Sequence, residues 1–270
     1  MDQSVEEKFA RLKEILGSME GVVVAYSGGV DSTLLLRVAK ESLGEEHVIA
    51  VTARSPLYPE RELAGAKRVA QEMGVKHILI ESNELEIEGF SRNPSNRCYF
   101  CKKELFEKIQ NLAQKEAMSF VVEGSTLDDE KDHRPGKRAI QELGIRSPLQ
   151  EARFTKKDVR ELSRTLGLPT WEKPSFACLA SRFPYGEEIT PEGLRMVDEA
   201  EDFLFGLGFK QVRVRHYQSL ARIEVYPEEM NRLMNASLRE KVVNRLKEIG
   251  YRYVTLDLQG FRSGSMNEVL

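Results

Sequence analysis

Residues 21–44 read GVVVAYSGGVDSTLLLRVAKESLG: β-branched apolar residues, a turn with paired glycines, then a helical pattern closed by Gly44. That order is strand, tight loop, helix. The backbone N–H groups of such a loop and the positive end of the helix behind it make an anion site. Gly28 and Gly29 let the backbone approach an anion without an intervening Cβ, and Ser27, Ser32 and Thr33 add hydroxyl donors. Asp31, in the same turn, would repel a bare phosphate, which points to a Mg²⁺ ion held by it or beside it. The loop is neither GxxxxGK[ST] nor GxGxxG, and no lysine stands where a Walker loop reaches the β- and γ-phosphates. Transfer of a γ-phosphoryl group and dinucleotide redox chemistry are both disfavoured.

Outward from this unit the pattern repeats. HVIAVTA (47–53), VKHILIES (75–82) and SFVVEGS (119–125) read as strands, and PERELAGAKRVAQEMG (59–74) and YFCKKELFEKIQNLAQKEA (99–117) as helices. Such alternation predicts a parallel sheet with helices on both faces. Ligands then sit beyond the carboxyl ends of the strands, where Ser27, Thr52, Gly124 and Ser125 fall. From Ile145 the pattern loosens into one helix between proline-punctuated loops. FPYGEEITPEG (183–193) reads as a boundary, with Thr190 as a helix N-cap and Pro191 at the first helical position. Beyond it come a helix, strands over 210–217 and 220–227, helical stretches over 228–250 and a last strand over 252–258. The sequence therefore predicts a domain over residues 1–184 and a small α+β domain over 185–270.

Composition narrows the function classes. With 41% hydrophobic and 31% charged residues the chain has an ordinary globular balance and no case for disorder. A net charge of -3 sets up no basic field, so no nucleic-acid partner is expected. The charged amphipathic N-terminus lacks a signal peptide's apolar core, and no apolar run reaches membrane-span length, so a cytoplasmic protein with no membrane partner is expected. There thiols stay reduced. Two of the three cysteines, Cys98 and Cys101, lie in NRCYFCKK (96–103). By themselves they fit a redox pair, part of a metal site, or two buried thiols. The four histidines offer no motif spacing with them for structural zinc.

SGGVDS resembles the PP-loop of the ATP pyrophosphatase superfamily, whose fold is the adenine nucleotide alpha hydrolase-like α/β domain. The resemblance implies that the loop grips the pyrophosphate of ATP, with Mg²⁺, while a substrate oxygen attacks the α-phosphorus. It also implies that VTARSPLYP (51–59) seats the adenosine, and that Gly124, Ser125 and Arg134 in EGSTLDDEKDHRPGKRA (123–139) contact base and phosphate. The whole chain is similar to the LarE-type pyridinium-3,5-biscarboxylic acid mononucleotide sulfurtransferase family. YSGGVDSTLLL, STLDDEKDHRPG, KPSFACLASRFPYG (173–186) and GFRSGSMNE (260–268) carry that likeness. It implies ATP-dependent adenylation of a substrate carboxylate and its conversion to a thiocarboxylate on the way to the nickel-pincer nucleotide of lactate racemase.

In that family Cys178 is the functional cysteine, and members with only that cysteine give up its sulfur and keep dehydroalanine. This chain departs from the pattern by adding Cys98 and Cys101. Three thiolates can hold three irons of a [4Fe-4S] cluster and leave the fourth open for a sulfide, so the cluster-dependent variant is expected. Sacrifice of Cys178 itself and a PP-loop tRNA thiolase are the alternatives. The substrate, a small nucleotide with phosphate and carboxylates, calls for arginines. QVRVRHY (211–217) puts Arg213 and Arg215 on one strand face. By resemblance they join Ser181, Arg182, Glu201 and Glu224 in a pocket for phosphate, substrate or a metal. The resemblance further implies a homo-oligomer and a sulfide or sulfur-donor system. The apolar helix around AEDFLFGLGF (200–209) is expected to pack on the first domain or on a neighbouring subunit.

Overall fold

The structure, a computed structural model, describes residues 2–130, 135–174, 176–262 and 264–268. The chain divides into two compact units, Met1–Asn83 with Asn96–Phe176, and Glu84–Ser95 with Ala177–Leu270.

In the first unit, α1 (Gln3–Gly17) leads into β1 (Val22–Ala25), α2 (Val30–Leu43), β2 (Val48–Arg54), α3 (Glu60–Glu72) and β3 (Lys76–Glu81). After the excursion into the second unit come α4 (Arg97–Lys115), β4 (Phe120–Val122), α5 (Gly136–Glu142), α6 (Pro148–Glu151) and α7 (Lys156–Thr165). The four strands are all parallel, in the order β3-β2-β1-β4. Alternation along the strands feeds two cores. Val22, Val24, Val48 and Ala50 join Leu34, Leu35 and Val38 of α2 and Leu12 and Leu16 of α1. Val23, Ile49 and Val51 turn the other way, onto Phe106 and Ile109 of α4 and Ile140 of α5. The expected parallel sheet covered on both faces is what forms. Each buried valine, leucine or isoleucine among these contributes about 1.5–3 kcal/mol.

The order places β2 and β3 on one side of β1 and β4 on the other. The crevice at the carboxyl ends of β1 and β4 is the topological switch point, where open α/β sheets bind ligands. The region after Ile145 holds the short α6 as well as α7.

The second unit carries α8 (Pro191–Gly206), β5 (Val212–Tyr217), β6 (Leu220–Val225), α9 (Met230–Met234), α10 (Ala236–Ile249) and β7 (Tyr253–Leu256). Its sheet is mixed, with β5 antiparallel and β7 parallel to the central β6. Thr190 caps α8 by accepting the Gly193 N–H at 3.0 Å, and Pro191 opens the helix. Ala200 and Leu204 of α8, with Phe203 and Phe205 beside them, pack on Val212, Val214 and Leu246. The apolar helix thus packs its buried residues inside its own unit. Among the described residues no helix is long and apolar enough to cross a membrane.

Candidate functional site

The anion loop takes the form its glycines permit. Gly28 has φ +66°, and a Cβ there would stand 2.8 Å from the Ala66 Cβ of α3, so only glycine fits on both counts. Gly29 is the N-cap of α2. The Ser27 and Ser32 hydroxyls lie 3.1 Å apart, and the Ser27 and Gly29 N–H groups reach those hydroxyls only at 3.3 and 3.4 Å. Bonds that long leave the amides ready for a stronger acceptor. Thr52, buried on β2, spends its hydroxyl on the Tyr26 carbonyl at 2.5 Å and on His77 Nε2 at 2.8 Å. Because the Thr52 proton goes to a carbonyl, His77 donates from Nε2.

Asp31 stands in the first turn of α2. Its Oδ2 accepts from Lys156 Nζ at the start of α7, while its Oδ1 is buried without a partner. Burial pushes the Asp31 carboxyl up and the Lys156 ammonium pulls it back, with a net rise. A buried carboxylate oxygen with no partner, beside an anion loop, is the donor a Mg²⁺ ion would use, so Asp31 fits the implied cation.

Gly124, just past β4, closes on this loop: a Cβ there would lie 3.1 Å from the Ser32 N and 3.3 Å from the Asp31 Cβ. Ser125 gives its N–H and hydroxyl to Glu123 at 3.1 and 2.9 Å. Ser27, Gly28, Gly29, Asp31, Ser32 and Gly124 therefore come together, with Thr52 and Ser125 as supports whose hydroxyls are engaged. Arg134 lies outside the described residues.

Three contributors were not picked out from the sequence. Lys156 holds Asp31, Lys173 Nζ donates to the Gly28 carbonyl at 3.0 Å and pairs with Glu62 at 2.7 Å, and the Tyr58 hydroxyl donates to the Ser27 carbonyl. Lys156 left a trace. A cation in a helix's first turn opposes the macrodipole, which signals an outside partner. Lys173 and Tyr58 left none, since only the fold brings them to the loop.

Cys98 and Cys101 sit three residues apart in the first turns of α4, hence on one face, and both are half-buried. Cys178, in the second unit, is half-buried too and precedes a single 3₁₀ turn, Leu179–Arg182. Among the described residues no group of three or more His, Cys, Asp or Glu side chains is arranged to hold a metal ion. Cys98 and Cys101 belong to the first unit and Cys178 to the second.

Around Cys178 the second unit builds a buried charge network. Arg182, fully buried, makes a two-pronged pair with Glu201 of α8 at 2.8 Å in each prong. Its remaining nitrogen donates to the Ala177 carbonyl at 2.6 Å, the Cys178 carbonyl at 3.0 Å and the Ser181 hydroxyl at 2.8 Å. Although burial pushes the Glu201 carboxyl up, Arg182 and Arg213 hold it below the usual carboxylate range. Arg213 and Arg215 share a strand face, as the alternation predicts. Arg215 pairs with Glu224 at 2.9 and 2.7 Å and donates to the Ser181 carbonyl at 2.9 Å and the Ser265 hydroxyl at 2.9 Å. Burial first, and then Arg182, push Arg213 down from the usual arginine range. A buried anion would relieve that strain.

The NAD synthase family profile matches residues 5–107, the stretch that holds β1 to β3 and the anion loop. Along nearly its whole length the chain resembles three further proteins. It is 46% identical over 266 residues to the uncharacterized protein slr1717 of Synechocystis sp., covering 98% of this chain and 99% of that one. It is 39% identical over 263 residues to the pyridinium-3,5-bisthiocarboxylic acid mononucleotide synthase of Lactiplantibacillus plantarum, covering 97% and 95%. It is 30% identical over 263 residues to the uncharacterized protein MJ0830 of Methanocaldococcus jannaschii, covering 97% and 96%. With a PP-loop at the switch point of a parallel sheet and full-length likeness at this identity, the chain belongs to the LarE-type family of ATP-dependent sulfur-inserting enzymes, that of pyridinium-3,5-bisthiocarboxylic acid mononucleotide synthase.

Proposed function

We propose that the protein uses ATP to adenylate a carboxylate of pyridinium-3,5-biscarboxylic acid mononucleotide and converts it to a thiocarboxylate in nickel-pincer nucleotide biosynthesis. The observation that carries this is the loop of residues 27–32 at the β1/β4 crevice, its long-bonded amides and the unpartnered Asp31 oxygen facing one anion site. The name of the Lactiplantibacillus relative supplies the substrate class.

The chain's own groups then have these tasks. The Ser27 and Gly29 amides and the Ser32 hydroxyl hold the β- and γ-phosphates, and the Lys156 ammonium offsets the Asp31 charge beside them. A substrate carboxylate oxygen attacks the α-phosphorus, the bond to the bridging oxygen breaks, and pyrophosphate leaves. Asp31 would hold a Mg²⁺ ion, which would supply positive charge to stabilise pyrophosphate as a leaving group. The acyl carbon of the adenylate is now electrophilic, and a sulfur nucleophile displaces AMP. Arg213 and Arg215 bind the substrate's phosphate, while Arg182, Glu201, Glu224 and Ser181 hold those arginines and the Cys178 backbone in place.

For the sulfur we propose a [4Fe-4S] cluster on Cys98, Cys101 and Cys178; when bound it supplies a replaceable sulfide. Three cysteines, two of them on one helical face, support this reading. In the second reading the Cys178 thiolate displaces AMP to form a thioester, and loss of the Cys178 Cα proton then breaks its Cβ–Sγ bond, so that the substrate leaves as the thiocarboxylate and dehydroalanine remains at position 178. Anaerobic reconstitution with iron and sulfide analysis, followed by intact mass after one turnover, separates them. Iron that is lost in Cys98→Ala and Cys101→Ala supports the cluster. Loss of the elements of H₂S from Cys178, with Cys98→Ala and Cys101→Ala fully active, supports sacrifice. Absence of any ATP-dependent pyrophosphate release with the biscarboxylate substrate overturns the whole proposal. A cytoplasmic homo-oligomer fed by a sulfur-donor system completes it, with sedimentation velocity as the check on assembly.

A further inference from the structure

Three successive carbonyls of the anion loop are each held by a side chain from elsewhere in the first unit. Thr52 holds Tyr26, Tyr58 holds Ser27 and Lys173 holds Gly28. No peptide bond among the described residues is cis, and in a trans peptide the C=O and N–H project to opposite sides. Fixing these carbonyls therefore fixes the directions of the Ser27, Gly28 and Gly29 N–H groups, the donors an anion meets.

We infer that Tyr58 and Lys173 are positioning residues that hold the loop's peptide planes in the orientation that receives pyrophosphate. This reassigns Tyr58, which lies in the stretch that the family resemblance gives to adenosine. Each donor is itself well placed. Tyr58 stays protonated because burial, and then Glu62, push its hydroxyl up, and its ring stands edge-on to Phe176 at 5.8 Å. Lys173 is steadied by Glu62 of α3 at 2.7 Å, one turn before the Ala66 that touches Gly28. Helix α3 thus braces the loop twice, by the Ala66 contact and by the Glu62–Lys173 tether. The planes are set before the ligand arrives, so binding does not have to order them.

The inference rests on the ATP-using reading, and its test separates the two. Binding of pyrophosphate, ATP and adenosine to the full chain is measured for the wild type, Tyr58→Phe, Lys173→Gln and Lys173→Arg, with thermal melting of each. Tyr58→Phe removes one oxygen and leaves the ring packing intact. The expected result is pyrophosphate and ATP affinity lowered roughly tenfold in Tyr58→Phe and Lys173→Gln, the loss of one hydrogen bond's effect. Adenosine affinity stays within about twofold and Lys173→Arg recovers part of the loss. Adenosine affinity falling with pyrophosphate affinity unchanged would make Tyr58 a nucleoside contact and overturn the inference. Equal losses for all three ligands that track a lowered melting point would overturn it as well, leaving only a structural role. Variants indistinguishable from a wild type that binds pyrophosphate sink this inference alone. A wild type that binds neither pyrophosphate nor ATP sinks the ATP-using reading along with it.

Discussion

Gly28 answers two demands at once, a left-handed backbone and contact with Ala66 closer than any Cβ allows. Gly28→Ala is expected to cost about 1–3 kcal/mol of stability and to weaken ATP binding, read by urea unfolding and ATP titration. His77 and His216 make a second residue-level prediction. Burial, joined by Lys67 for His77, holds both below the ordinary histidine value of 6.5. The unfolded chain then binds more protons than the folded one between the folded values and 6.5, so stability is full above that pH and falls as pH drops through the window. Urea midpoints should be flat from about pH 8 to 7 and decline toward about pH 5, with His77→Gln removing part of the slope. At this scale the sequence spoke where chemistry was local. Ser27 to Ser32 declare themselves as consecutive residues, whereas Tyr58 and Lys173 act on that loop from 31 and 145 positions away.

Helix α7 links a capping motif to the site. Thr155 and Asp158 form a reciprocal capping box, and Lys156, the next residue, reaches Asp31. Thr155→Ala should cost about 1 kcal/mol and loosen Lys156, seen as a lower urea midpoint with weaker ATP affinity. In the second unit the Arg182–Glu201 pair ties the 3₁₀ turn after Cys178 to α8. Glu201→Gln leaves a buried guanidinium under-compensated and is expected to cost about 3–5 kcal/mol. Alternation along β5 was enough to put Arg213 and Arg215 on one face. Alternation did not reveal their partners, which only the family resemblance named, because Glu224 arrives from β6 through register and Glu201 from α8 through packing. Arg215 and Arg222 stand opposite each other in that register, and Glu224 accepts from both. The like charges are tolerated because a carboxylate lies between them. The strand-helix alternation of the first unit was legible as far as β4, since each strand is an apolar run bounded by turns, whereas the short helices α5 and α6 were not picked out.

For the whole molecule, the second unit takes in residues 84–95 as well as the chain from Ala177 onward. That early segment is bonded inside its own unit. The Asn93 amide donates to the Phe183 and Pro184 carbonyls at 3.2 and 2.6 Å, Gly186 N–H reaches Asn93 O at 3.0 Å, and Ile189 N–H reaches Ser91 O at 2.7 Å. Phe90, nearly inaccessible in the full chain, and Asn93 should become protease-sensitive in a fragment of residues 1–176, with cleavage mapping to 84–95. The same feature bears on birth at the ribosome. Translation emits residues 84–95 long before the stretch around 183–189 that receives them. The segment must therefore leave the exit tunnel as an unfinished loop, and only a later, distant part of the message lets it settle.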